Sequence, residues 1–227
     1  MRPAFARTAW AVLRKDLMVE RRAKEGVNAL VFFAILLLFL FYFALGPDRD
    51  RIRAALPGLL WLAFVLAGLL GLGRAFATER ENDCLDGLVA APGDKGAVYL
   101  GKVAGISALM VGMEVAFIAA AGVFYNLDLW PAVPRLLLVA VAGTVGFAAV
   151  GTLFAAMTVH LRAREVLLPV LLLPLAVPVL LAAVKLTESA LDGEPWRTTL
   201  PWWQLLLGFD VVFVVVGLLT FELVLEA

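Results

Sequence analysis

The run VNALVFFAILLLFLFYFAL, Val27 to Leu45, contains no charged side chain. An α-helix needs roughly 20 apolar residues to cross the hydrocarbon core of a bilayer, and this run has that length. It is rich in Leu and Phe with few small residues, which suits a lipid-facing helix, and Gly46-Pro47 closes it. Five further runs of the same character follow, at about 54–77, 98–125, 133–158, 164–186 and 200–225. The 227 residues are 63% hydrophobic with a mean hydropathy of +0.96, which is too apolar for a soluble domain of this size. The expectation is a single domain over residues 1–227, all-α and integral to the membrane, with six transmembrane helices.

The net charge is zero, so orientation rests on where the basic residues sit. With the N-terminus inside, Arg2, Arg7, Arg14, Lys15, Arg21, Arg22, Lys24, Arg74, Arg80, Lys95, Lys102, Arg162 and Arg164 are cytoplasmic. Only Arg49, Arg51, Arg53, Arg135, Lys185 and Arg197 are then outside, so the positive-inside rule puts both termini in the cytoplasm. Trp130, Trp196, Trp202 and Trp203 fall at the outer interface, where an aromatic belt is expected. No removable signal peptide is expected, because a short apolar core with a small-residue cleavage site is missing. Nucleic acid is not an expected partner.

Residues 4–24 carry Arg7, Arg14 and Arg21 at a seven-residue spacing, with Ala6, Trp10, Leu13 and Leu17 on another stripe. This pattern reads either as an amphipathic interfacial helix against anionic headgroups or as a positive flank that orients the first span. Gly68, Gly71, Gly73, the Gly101-x-x-x-Gly105 pair, Gly143, Gly146 and Gly151 mark places where helix backbones can approach closely. Three prolines, Pro169, Pro174 and Pro178, interrupt the fifth span, and the expectation is a bent, central helix.

Chemistry is sparse. Gly96 to Val103 fits G-x-x-x-x-G-K, but Val103 stands where a nucleotide-binding loop needs Ser or Thr, and a membrane span follows. Glu114 and Asp210 lie inside spans, each roughly 15 Å from the outer end at ~1.5 Å per residue. Carboxyl groups at that depth cost a few kcal/mol and turn inward, either as hydrogen-bonded glue or as an intramembrane path or gate. His160 is the only histidine and Cys84 the only cysteine, which leaves no bis-histidine site and no intrachain disulfide. Met113 and Met157 read as packing filler. No catalytic constellation or metal site is expected, and an intramembrane enzyme is poorly supported.

The remaining polar island is Glu79-Arg80-Glu81-Asn82-Asp83-Cys84-Leu85-Asp86-Gly87-Leu88-Val89-Ala90-Ala91-Pro92. Leu85, Leu88 and Val89 follow helical spacing and Pro92 ends the segment, so it reads as a short amphipathic helix on the cytoplasmic surface. This island, the Arg164-Glu165-Val166-Leu167-Leu168-Pro169 run with its later prolines, and the close from Leu205 through Asp210 to Glu226 together resemble the haem exporter protein B (CcmB) family. The resemblance covers nearly the whole chain. It implies an ABC-2-type permease in which 79–92 is a coupling helix docked on a separate ATPase. Leu85 and Leu88 would be its anchors, Glu79, Arg80 and Glu81 its rim, Asp86 and Pro92 the rest of the motif, with Arg164 and Glu165 as an inner-end switch.

The resemblance further implies a bacterial inner-membrane complex for cytochrome c maturation, in which the chain is a non-catalytic subunit. Its partners would be a CcmA-like ATPase, a haem-handling CcmC-like subunit, a small CcmD-like subunit and a CcmE-like haem chaperone, around a homodimer or heterodimer. No cofactor is expected in this chain: ATP enters through the partner and haem is the expected substrate. Pro201-Trp202-Trp203-Gln204 is too short to be the tryptophan-rich motif of the haem-handling partner. The rival readings are a permease for a lipid or drug, a scaffold subunit that moves nothing, and an ion-coupled transporter that titrates Glu114 or Asp210.

Overall fold

The computed structural model describes residues 3–22, 24–81, 94–159, 161 and 164–225. Seven α-helices make up these residues: α1 (Pro3–Arg22), α2 (Lys24–Leu45), α3 (Arg49–Glu81), α4 (Lys95–Phe124), α5 (Val133–Thr158), α6 (Arg164–Asp192) and α7 (Trp196–Leu225). Five of them, α3 to α7, contain stretches long and apolar enough to cross a membrane, and α2 adds the shorter apolar segment Ile35–Leu45. Several helices overrun the apolar runs, α3 at both ends. α3 begins at Arg49 and continues to Glu81, and α6 runs on to Asp192, where a Lys185–Glu188 pair at 2.8 Å supports the polar last turns.

Left-handed glycines end two of the helices. Gly46 at φ +73° follows α2 and Gly193 at φ +70° follows α6, a conformation that costs a side chain but not glycine. Asn126, at φ 52°, turns the chain after α4.

The centre of the bundle belongs to α5. It packs against α3, α4, α6 and α7, and most of its length is buried. The proline-bearing α6 is not central: it is one continuous helix, and Pro174 and Pro178 face outward with Val170, Val177 and Leu181. The reason lies in side-chain size. Gly143, Gly146 and Gly151 leave α5 with hollows that its neighbours fill: Trp61 and Leu72 of α3 press on Gly143 and Gly151, and Asp210 of α7 on Gly146. Gly68 of α3 likewise seats Met110 and Phe147, whereas Gly71 and Gly73 face open space and are not packing positions.

Residues outside the centre follow the same logic. Phe32, Ile35, Leu36, Phe39, Leu40 and Phe43 of α2 are exposed, which agrees with a lipid-facing helix, and Leu38 alone of its described residues is fully inside. Tyr125 donates a hydrogen bond from its hydroxyl to Leu38 O at 2.9 Å and so ties α2 to the end of α4.

α1 folds back on the first turns of α4. The Gly101-x-x-x-Gly105 pair serves this contact and not a pairing of spans: a Cβ at Gly101 would lie 2.7 Å from Ala9 O and 2.7 Å from Val12 Cβ. Lys102, with no exposed surface, reaches Asp16 Oδ2 of α1 at 3.5 Å. The stretch Gly96–Val103 is therefore helix packed on helix, with no phosphate-cradling loop. Because Ala9 O is backbone and cannot swing aside, Gly101→Val is expected to push α1 off α4 at a cost of about 1–3 kcal/mol. Faster proteolysis between residues 3 and 22, with the rest of the bundle intact, is the measurement that checks this.

Candidate functional site: polar groups buried around the central helix

Hydrocarbon-facing helices satisfy their own backbone groups, so the informative residues are polar side chains hidden inside. Ser107 and Glu114 of α4, Thr144 and Thr152 of α5, and Asp210 of α7 are all buried. Glu114 is 1% exposed, and its Oε1 accepts a hydrogen bond from Thr144 Oγ1 at 2.5 Å. Its Oε2 has no hydrogen-bond partner among the described residues. Beside it is a small hollow lined by Phe33, Ala63, Phe64, Ala67, Met110, Met113 and Phe117, contributed by α2, α3 and α4. A carboxyl group with one oxygen held and one turned to an apolar hollow is poised to accept one more donor.

Asp210 is 8% exposed, and its Oδ1 also lacks a partner among the described residues. It is seated on bare backbone, since a Cβ at Gly146 would come within 2.1 Å of that oxygen. The two carboxylates thus address residues only two apart on α5, Thr144 and Gly146, which puts them at similar depth. Two residues are about 200° around a helix, so α5 stands between them. The depth expected from sequence agrees, but each group faces its own side of α5.

Tyr99 links the same three helices and gave no signal in the sequence. Its hydroxyl lies 3.0 Å from Ala149 O of α5 and 3.3 Å from Phe213 O of α7, within donating distance of both. Gly217 makes room for it, as a Cβ there would fall 2.1 Å from the phenol. Trp61 plays the matching part for α3 and α6: Nε1 donates to Thr187 Oγ1 at 2.9 Å, and Thr187 donates to Ala183 O. A glycine at the right height on the facing helix is the only trace such clamps leave in a sequence, and it can be recognised only once the register is known.

The segment expected to couple to a partner falls mostly outside the described residues. Leu85, Asp86, Leu88 and Pro92 lie there, as do Cys84 and His160. Glu79, Arg80 and Glu81 form the last residues of α3 and do not open a separate helix. On the far side, Asp94 caps α4 by accepting from Gly96 N at 2.9 Å, so α4 begins immediately after the segment. Arg164 and Glu165 begin α6. Met113 borders the hollow beside Glu114, whereas Met157 is exposed.

An all-helical bundle with apolar outer faces on its long helices and polar groups kept inside is a multi-pass membrane protein. The chain belongs to the CcmB family, whose model, described as CcmB protein, matches residues 7–226. Among curated proteins it is similar to heme exporter protein B of Pseudomonas aeruginosa, 34% identical over 191 residues, which cover 83% of this chain and 84% of that protein. Heme exporter protein B of Paracoccus denitrificans is 33% identical over 192 residues, 84% and 87% of the two chains. The Escherichia coli K12 protein of the same name is 32% identical over 184 residues, 80% and 82%. The resemblance read from the polar island, the proline run and the C-terminal close is borne out over nearly the full length.

Proposed function

We propose that this chain is the membrane permease subunit of an ATP-binding-cassette haem exporter that serves cytochrome c maturation, with ATP hydrolysed by a separate subunit. The observation that carries this is the kinship, over most of the chain, with proteins named heme exporter protein B, on a bundle with five helices long and apolar enough to span and a shorter apolar segment in α2. In this reading α2 to α7 are six spans, both termini are cytoplasmic, and the loops after α2, α4 and α6 face outward. α1 lies along the inner interface. Its face with Ala9, Val12 and Asp16 packs on α4, which leaves Trp10, 66% exposed, to enter the headgroup region.

Residues 79–92 dock on the ATPase, with Leu85 and Leu88 as anchors. The segment leaves α3 and enters α4, so a pull on it acts on two helices at once. In α4 the nearest fixed points are Tyr99, held to α5 and α7, and Lys102, joined to α1. Glu114 and Asp210 mark the path or gate on the two sides of α5, and two copies, or one copy and a related subunit, complete the transporter.

The test is to reconstitute the chain with its ATPase in lipid nanodiscs and to measure hydrolysis with and without the haem-loaded chaperone system. Stimulation by haem is expected. A stable complex indifferent to haem would reassign the substrate, and no complex at all would leave a scaffold role. Leu88→Asp places a charge in an apolar groove and is expected to return stimulated hydrolysis to its basal rate, while thermal unfolding of the isolated bundle stays unchanged. Stimulation that survives this change would remove 79–92 from the interface.

A further inference from the structure

We infer that the loop end of the bundle holds a site for an amphiphilic anion, an apolar body bearing carboxylate or phosphate groups, in the cleft shared by Arg53 and Arg135. The cleft, of about 490 Å³, lies between the first turns of α3, the 125–132 loop and the turn from α6 to α7. Its floor is apolar, with Leu129, Ala132 and Ala190 all buried. Its two cations are already oriented. Arg53 Nη2 donates to Leu191 O at 2.5 Å, and Arg135 Nη1 donates to Glu194 O at 2.6 Å, so the two guanidiniums grip the same turn. The Trp196 ring, 5.3 Å from the Arg135 carbon, holds that guanidinium from one face.

Each guanidinium has five N–H groups in a fixed fork, and a single carbonyl uses only part of it. Carboxylate and phosphate are the groups whose geometry fits what remains. Of the acidic neighbours, Glu188 pairs with Lys185 at 2.8 Å, Glu194 accepts from Ser189 and Thr198, and Asp50 borders Arg53 on the side away from the 125–132 loop. Asp192 is 3.7 Å from Arg53, but both side chains are about half exposed, and such pairs are weak. Asp128 accepts from Trp130 N at 3.3 Å and so serves its own loop. Exposed Trp130 and Trp196 beside the cleft place it at the depth of lipid headgroups. An apolar floor with two cations in reach therefore selects a molecule with a charged head and a greasy body, whether a membrane lipid or a carboxylate-bearing substrate.

The test separates these sources. The chain is placed in phosphatidylcholine nanodiscs and titrated with protoporphyrin IX and with its dimethyl ester, which keeps the apolar body and removes both carboxylates, with empty nanodiscs as the baseline. In parallel, native mass spectrometry of the chain from discs containing phosphatidylglycerol reads retained lipid. Only the porphyrin arm rests on the haem reading above. At least one anion is expected to bind saturably, and Arg53→Gln with Arg135→Gln to weaken it about tenfold or more. Glutamine ends two atoms short of the guanidinium nitrogens and gives up the loop-carbonyl bond together with the charge, so thermal unfolding of the double variant is read beside its binding. Asp192→Asn, which removes the competing carboxylate, is expected to tighten binding about twofold.

Porphyrin acid binding at least tenfold tighter than the ester supports the site with a carboxylate substrate. Retention of phosphatidylglycerol lost in the double variant supports it with a lipid and counts against porphyrin there. Equal binding of acid and ester by the unaltered chain, together with phosphatidylglycerol retained no better than phosphatidylcholine, would overturn the proposal, and neither comparison needs the double variant to fold.

Discussion

Replacing Tyr99 with alanine is expected to destabilise the bundle by about 3–5 kcal/mol, the range for removing a fully buried aromatic side chain. The phenol is 0% exposed, packs on Phe221 with ring centres 5.2 Å apart, and fills the space that Gly217 leaves open. Tyr99→Phe keeps the ring and loses only the hydroxyl, whose bonds reach carbonyls within helices. That change is expected to cost about 0.5–1.5 kcal/mol. The ratio of the two losses separates packing from hydrogen bonding, and unfolding in mixed micelles reads both. Nearly equal losses would mean that the hydroxyl, and not the ring, joins α4 to α5 and α7. Tyr99 also lies about one turn from the start of α4, so in the proposed complex Tyr99→Phe should loosen coupling to the ATPase before it harms folding.

Thr144→Val is expected to cost about 1–3 kcal/mol, because it leaves Glu114 buried with neither oxygen held. Glu114 is the larger liability of the pair, so removing it as well should recover much of that loss. Glu114→Leu on the Thr144→Val background is expected to be near neutral, and a double-mutant cycle should give a coupling of about 0.5–3 kcal/mol. Glu114→Gln keeps an acceptor for the Thr144 hydroxyl and removes the ionisable group. If the carboxyl group is part of a path or gate, that variant folds normally and loses export. Normal export would leave Glu114 as an internal brace. The comparison is sharp because Thr144 Oγ1 is the one partner Glu114 has among the described residues, and the hollow beside its other oxygen is lined by apolar side chains.

Much of the fold was legible in the residues. A bilayer demands long apolar helices, and that demand writes itself into contiguous runs, so α2 to α7 could each be located, although α3 and α6 run up to six residues beyond the apolar stretch. Depth was legible for the same reason: counting along a helix places Glu114 and Asp210 at a common level without reference to any neighbour. Glycines at Gly143, Gly146 and Gly151 announced close packing. The family kinship could be read from local motifs because those motifs lie on one continuous strand of sequence.

What contacts what could not be read that way. Azimuth is the missing coordinate: in lipid an outward residue is as apolar as an inward one, so hydropathy does not say which face of a helix turns to which neighbour. This is why the three prolines suggested a central α6, while the small residues of α5 took the centre. It is also why Gly101 and Gly105 proved to receive α1 and not another span, and why Glu114 and Asp210 came to lie on two sides of α5. Tyr99 and the Arg53–Arg135 cleft belong to the same class, assembled from residues far apart in the chain whose meeting depends on register and rotation together. The sequence alone determined the membrane class, the depth of each polar group and the family, because each is a property of one segment at a time. The pairing of those segments was decided by side-chain size at α5, and only in three dimensions.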